Sequence, residues 1–179
     1  MLKAILVGLV VVITVFVIVV TTRPTDFRIA RSATFAAPAS TVFDQINNLH
    51  KFNDWSPWAK IDPNAKATFA GPDAGPGSSF AWAGNNEVGE GRMTIVTSEP
   101  GKLVRMKLEF IKPFAATNTA EFTLKPEGNG TNLTWAMTGQ NGFMAKAFSM
   151  FVDCDKMVGG QFEQGLANLK AIVEKPAGS

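Results

Sequence analysis

Histidine and cysteine, the side chains most often used in nucleophilic chemistry, each occur once among the 179 residues. A cysteine nucleophile needs a base within hydrogen-bonding distance, and His50 is the one histidine that could serve Cys154. His50 lies in the polar stretch Asn47–Lys51, which favours a surface position. Asp153 and Asp155 flank Cys154 and should raise its pKa, which disfavours the reactive thiolate. We therefore predict no catalytic residue here, and a serine triad would need the same histidine.

Carboxylates offer no better-formed site. Asp153, Cys154 and Asp155 lack the spacing of zinc ligands, so we expect no bound metal, and no motif indicates another cofactor. Glu109 and Glu121 fall on neighbouring predicted strands, both on the polar face. Acid–base catalysis by such a pair would need a cleft that separates the two pKa values. A solvated face is therefore the expected position of both.

Large apolar side chains are plentiful where conventional catalytic groups are scarce. The chain has 4 Trp, 14 Phe and 7 Met but no tyrosine. Such residues can fill a core, or they can line a cavity of a few hundred Å3, the usual scale of small-molecule sites. We expect a ligand-binding cavity, with Trp58 near one end, that is lined by Trp58, Phe80, Trp82, Met93, Met106, Ala120, Phe122, Trp135, Phe151 and Phe162.

A second apolar group lies between the last predicted strand and the final helix. It comprises Phe143, Met144, Phe148, Met150 and Phe151. One interpretation is ordinary core packing. The other is a cavity portal or a membrane-touching lid, because methionine-rich apolar surfaces adapt to varied ligands.

Alternating apolar and polar residues predict the elements that position these side chains. The expected strands cover residues 26–35, 66–70, 78–83, 89–98, 102–110, 117–125 and 131–138. We predict that Met106 and Trp135 point inward and that Lys107 and Thr134 point outward, since a one-residue slip would reverse every side chain. This pattern predicts an antiparallel sheet with one solvated face, and its apolar face needs a cover.

Helices are expected to provide that cover. Two short helices follow the first strand, at about 38–46 and 49–58, and a helical segment at 143–152 precedes a long C-terminal helix. The long helix presents one apolar stripe, formed by Phe162, Leu166, Leu169 and Val173. Three glycines lower its helix propensity, and we attribute them to close packing against the sheet: Gly159, Gly160 and Gly165.

The N-terminus is expected to be a membrane anchor. Ala4–Val20 carries no charge, and 17 helical residues rise about 26 Å against a hydrocarbon core of about 30 Å. A cleaved signal sequence is the alternative, although this run exceeds the usual signal h-region and lacks a small-x-small cleavage site. We therefore predict an anchor or signal at 1–24, a domain at 25–179 and a single-pass membrane location. The side is undecided, because Lys3 lies before the run and Arg23 after it.

The charge distribution disfavours nucleic acid as a partner. The formal net charge is +2, and lysines and arginines are scattered along the chain. A nucleic-acid binder usually presents a basic stripe. We therefore expect a hydrophobic small molecule or lipid, and the membrane reached through the N-terminal helix, as the partners.

Several short motifs resemble the superfamily of START domains and birch-pollen-type allergens (SRPBCC), and most closely its bacterial polyketide cyclase/dehydrase and lipid-transport branch. The resemblance covers about Arg31 to Val173. The motifs that carry it are Ala37-Pro38 with Val42-Phe43, Phe52 to Trp58, Ser79-Phe80-Ala81-Trp82, and Asp155-Lys156-Met157 through Leu169-Lys170. The resemblance implies an α+β helix-grip fold. In it, a curved antiparallel sheet of about seven strands wraps a long C-terminal helix and leaves a hydrophobic cavity between them.

Three functions remain open at this point. The leading hypothesis is binding or transfer of a hydrophobic small molecule or lipid, because an apolar cavity with few fixed polar groups favours burial over chemistry. The second is a cyclase-, dehydratase- or hydrolase-type enzyme. Enzymes of the resembled family often use tyrosine and histidine in the cavity, and this chain has no tyrosine. The third is an interaction module with a filled core and no ligand.

Overall fold

The computed structural model describes residues 1–175, so the last four residues of the predicted domain 25–179 lie outside the described part. Five helices and seven strands follow one another along it. The helices are α1 (Leu2–Thr21), α2 (Ala39–Asn47), α3 (Leu49–Trp55), α4 (Phe143–Phe148) and α5 (Cys154–Val173), with a 3-10 turn at Pro57–Lys60. The strands are β1 (Asp26–Phe35), β2 (Lys66–Ala70), β3 (Ser79–Ala83), β4 (Glu90–Glu99), β5 (Leu103–Lys112), β6 (Ala116–Glu127) and β7 (Gly130–Gln140).

The strands form one antiparallel sheet in the order β1-β7-β6-β5-β4-β3-β2. Its curved inner face holds α5, as the resemblance to the helix-grip fold implied. The predicted register is confirmed: Met106 and Trp135 are 1% and 3% exposed, whereas Lys107 lies on the outer face and Thr134 hydrogen-bonds to Ser32 there at 2.8 Å. Strict alternation fixed this register because only one face of the sheet is covered.

The outer face carries charged side chains in pairs. Arg105 lies 2.7 Å from Glu121, and Lys107 lies 2.6 Å from Glu109. Each glutamate therefore has its own cationic neighbour on a partly exposed surface, where such pairs contribute about 0–1 kcal/mol to stability. Glu109 and Glu121 belong to the solvated face, as the alternation predicted.

Helix α5 runs along β1 in the same direction as that strand. Arg31 bonds to Asp155 at 2.8 Å and to Glu163 at 2.7 Å, and further along the helix Lys170 donates to the carbonyl of Thr34 at 2.9 Å. Hydrogen bonding to Arg31 lowers the pKa of Asp155, and the two carboxylates raise that of Arg31. These contacts fix the position of α5 along the edge strand.

Close packing explains two of the three glycines in α5. A Cβ on Gly159 would lie 2.0 Å from the Arg31 guanidinium, and one on Gly165 would lie 2.8 Å from the Trp135 ring. The prediction was wrong for Gly160, around which a Cβ would meet nothing within 4 Å. Gly160 lies on the exposed side of the helix, so contact with the sheet does not account for it.

The two ends of the sheet are covered differently. At one end, α2 and α3 bury Val42, Ile46, Phe52 and Trp55. The other end holds the start of β1, the end of β7, the β5–β6 hairpin and the β3–β4 turn, because Asp26 pairs with Gln140 and Glu90 with Lys112. We call this second end the α1 end, since β1 begins there directly after α1.

Helix α1 extends away from the domain with most of its side chains exposed. It is long and apolar enough to cross a membrane, although a signal sequence would meet the same criteria. Only its last part is covered: Val20 is fully buried, and α4 packs beside this helix. Lys146 of α4 also donates to the Thr25 hydroxyl at 2.8 Å. The short link between α1 and β1 is therefore held against the domain.

Candidate ligand-binding site

A cavity of about 450 Å3 lies between the inner face of the sheet, α5 and the segment that follows α3. Its apolar lining comes from inward-facing residues of six strands, β2 to β7; they share one face because side chains repeat every two residues. Nine of the ten residues expected from the sequence lie in this lining: Trp58, Phe80, Trp82, Met93, Met106, Ala120, Phe122, Trp135 and Phe162.

Phe151 is the exception, and its assignment to the cavity was wrong. Its side chain is 79% exposed. The predicted helical segment extends to residue 152, but α4 ends at Phe148 and α5 begins only at Cys154. Phe151 lies in the turn between the two helices, where its side chain faces solvent.

An aromatic cluster closes the inner end of the cavity. Trp135 lies at its centre, stacked on Phe162 at a ring-centre distance of 4.2 Å and tilted against Phe122 at 4.9 Å. Trp55 and Trp58 meet the same indole edge-to-face at 5.6 and 5.8 Å. Edge-to-face and offset rings at these distances attract each other beyond their area burial. This end is a packed wall rather than open space.

Trp82 occupies the opposite, outer part of the cavity. Its indole N–H donates to the carbonyl of Val88 at 3.2 Å, and its ring lies 5.9 Å from that of Phe80. A Cβ on Gly91 would lie 2.3 Å from the ring, so this glycine makes room for the indole. Trp82 is thus held in the outer part of the cavity by the hydrogen bond to Val88 and by packing against Gly91.

Most of the exposed lining residues lie at the α1 end of the strands, and we infer that the mouth opens there. It is bordered by Lys112 and Pro113 of the β5–β6 hairpin, by Glu87 and Val88 of the β3–β4 turn, and by Val158 in the first turns of α5. The interior is largely apolar. Of the four charged lining residues within residues 1–175, Glu87 and Lys112 lie at this border, and Asp62 and Lys66 lie in or beside the segment that leads into β2. A ligand with an apolar body and a polar end fits such a distribution.

Sequence reasoning missed two kinds of lining residue. Leu108, Phe110 and Met137 share the apolar faces already predicted, so the alternation could have identified them. Asp62 and Lys66 could not be found in this way, because they lie at or near a connection without periodicity. Asp62 accepts hydrogen bonds from the backbone N–H groups of Asn64 and Asn85 at 3.0 and 2.8 Å, which ties the mouth loops together.

His50 and Cys154 lie outside the cavity lining. The exposed His50 ring stacks on Phe69 at 3.8 Å. Burial, with the negative charge of Asp153, raises the pKa of the Cys154 thiol, in the direction expected from the sequence. Among residues 1–175, no group of three or more histidine, cysteine or carboxylate side chains is arranged to hold a metal ion.

Comparison with known proteins places this geometry in a family. Residues 26–174 match the family model described as polyketide cyclase/dehydrase and lipid transport. No match to the sequence was found among curated proteins. The chain is also similar to solved structures. Because the sequence identities are low, this similarity shows a common fold only.

Three such structures illustrate the range. The Aha1 dimer from Colwellia psychrerythraea is 15% identical with a TM-score of 0.60, covering 85% of this chain and 99% of that one. Ara h 8.0201 is 12% identical with a TM-score of 0.56, covering 83% and 97%. The di-domain ARO/CYC BexL of the BE-7585A biosynthetic pathway is 16% identical with a TM-score of 0.61, covering 89% and 54%. With its family model matched from β1 to the end of α5, this chain belongs to the polyketide cyclase/dehydrase and lipid-transport family.

Proposed function

We propose that the domain binds a hydrophobic small molecule or lipid in the cavity, and that α1 tethers it to the membrane from which such ligands come. The observation that carries this proposal is the cavity of about 450 Å3, lined by aromatic, methionine and aliphatic side chains between sheet and α5. Burying apolar ligand surface there is favourable by about 25 cal/mol per Å2. The volume suits a ligand of small-molecule size.

The distribution of polar groups favours binding over turnover. A cyclase-type enzyme, one of the classes in the family description, would need polar groups placed against the reacting atoms inside the cavity. Here the charged lining residues, Asp62, Lys66, Glu87 and Lys112, lie in connections or at strand ends, while the inner wall is formed by Trp135 and Phe162. An interaction module without ligand would not require open space of this size.

Native mass spectrometry of a chain that begins at Thr25 tests the proposal. We expect the domain to retain a co-purified lipid or other hydrophobic adduct, which is released by organic solvent and replaced by added fatty acid. An adduct-free domain that takes up no fatty-acid probe would contradict it and favour the interaction module. Conversion of an added activated ester or polyketide analogue would favour the enzyme.

The tether predicts a clear fractionation result. We expect the full chain to stay with membranes through high-salt and carbonate washes, and a chain that begins at Thr25 to be soluble. The reason is the exposed apolar surface of α1, which is uncharged from Ala4 to Val20 and whose 20 residues span about 30 Å as a helix. Quantitative blotting of pellet and supernatant measures this. A mature N-terminus near Thr22, found by N-terminal sequencing, would identify a cleaved signal and contradict the tether.

A further inference from the structure

Exposed hydrophobic side chains are concentrated at one end of the domain. Residues 26–175 expose nine large ones. Only Val96 and Ile172 lie away from the α1 end. The other seven belong to the β5–β6 hairpin, to the segment around α4 or to the first turn of α5: Ile111, Phe114, Phe143, Met144, Phe148, Phe151 and Met157. A patch of this kind marks an interaction surface rather than scattered surface apolarity.

The same end of the sheet is attached to α1. Five peptide steps separate Thr21, the last residue of α1, from Asp26, the first of β1, and an extended chain covers at most about 18 Å in that many. The link is also held against the domain, because Val20 is buried and Lys146 donates to the Thr25 hydroxyl. A bilayer that contains α1 therefore has its surface close to the α1 end.

We propose that the α1 end docks on the bilayer in which α1 sits, so that the mouth of the cavity opens onto lipid. Phe114, which is 66% exposed, and the 143–151 segment enter the boundary between headgroups and acyl chains. Apolar side chains at that depth, with basic residues nearby, are typical of interfacial segments. Lys112 and Lys146 lie at this end, where they bond to Glu90 and to the Thr25 hydroxyl. The inference rests on the proposed membrane tether and adds to it an orientation and an entry route.

The bilayer fits this surface better than a second copy of the chain. The tether keeps the bilayer within reach at any protein density, whereas a second tethered copy must be met by diffusion in the membrane. The apolar residues also lie on separate elements of the α1 end, on the β5–β6 hairpin and on the segment before α5. A fluid acyl layer can meet all of them at once without matching a fixed shape.

Lipid quenching of site-specific fluorophores tests the orientation. The full chain, with Cys154→Ser to remove the native thiol, is reconstituted into phosphatidylcholine vesicles. Phe114→Cys and Phe151→Cys each carry an environment-sensitive dye. The matched control is Asn129→Cys, in the exposed β6–β7 turn at the far end of β6, a strand whose 12 residues span about 36 Å.

We expect blue-shifted emission at positions 114 and 151, with quenching by nitroxide-labelled lipid several-fold stronger than at position 129. Equal, weak quenching at all three positions in a chain that resists carbonate would overturn the docking and leave the tether intact. Release of the chain by carbonate would remove the tether, and this orientation with it. A blue shift that disappears on dilution of protein in the vesicles, without lipid quenching, would instead identify a second copy and overturn the proposal.

Discussion

Replacing Ala120 by phenylalanine (Ala120→Phe) is expected to abolish binding of a fluorescent fatty-acid probe while leaving the domain folded. Ala120 lies on the inner face of β6, with Met106 and Met137 as its neighbours on the adjacent strands, and all three line the cavity. Because Ala120 lines the cavity, we expect a phenyl ring at this position to enter the open space. It would occupy volume that the ligand needs, so we expect the probe affinity to fall by at least about tenfold, which corresponds to 1.4 kcal/mol.

The stability of the same variant distinguishes a cavity from a close-packed core. Overpacking a filled core typically costs about 1–3 kcal/mol, whereas filling a cavity should lower the free energy of unfolding by less than about 1 kcal/mol. Urea unfolding measures this, with Ala81→Phe on the outer face of β3 as the matched control. A large loss of stability in Ala120→Phe, together with no probe binding by the parent domain, would show that the centre is solid.

The sheet and most of the cavity wall could be predicted because one physical constraint determines both. A strand with one covered face must alternate, so the inward positions of β5 and β7 follow from residues such as Met106 and Trp135. Once the sheet is known to curve around α5, no further information is needed to predict that the inward residues of neighbouring strands lie together. The resemblance to the helix-grip fold supplied the curvature, which the alternation alone does not determine.

Apart from Gly160 within α5, the errors fall where the chain leaves regular structure. A continuous apolar run gives no helical boundary, so nothing in the sequence showed that α4 would end at Phe148 and that Phe151 would be exposed. Composition likewise favoured a core position for the segment from Phe143 onward, yet Phe143, Met144 and Phe148 are largely exposed. The interpretation as a portal or membrane-touching lid is the one that remains, as a proposal.

The mouth was missed for a related reason. Its polar residues lie in or beside connections, and hydrogen bonds between distant loops, such as that from the Asn85 backbone N–H to Asp62, bring them together. Periodicity carries no information about such contacts, because they depend on the lengths of several turns at once. The apolar lining of the cavity can therefore be predicted from the sequence, whereas the polar residues at its mouth can be located only in the structure.

Trp135→Ala and Trp82→Ala are expected to separate the folding role of the inner wall from the binding role of the mouth. Trp135 is 3% exposed and contacts the rings of Phe162 and Phe122. Its removal leaves a void inside a packed cluster, and we expect a loss of about 3–5 kcal/mol. This is a large fraction of the usual 5–15 kcal/mol for a domain, so the variant should unfold at much lower urea concentration.

Trp82→Ala removes the same side chain from a partly exposed position at the mouth, where water can replace it. The lost interactions are the hydrogen bond to Val88 and the contacts with Phe80 and Phe110, so we expect a cost of about 1–2 kcal/mol. Probe binding should weaken, because the outer part of the cavity loses its largest apolar surface. Urea unfolding and probe titration on both variants measure the two effects. Equal destabilisation by the two substitutions would mean that the mouth belongs to the close-packed core, which would remove the physical basis for ligand entry at the α1 end.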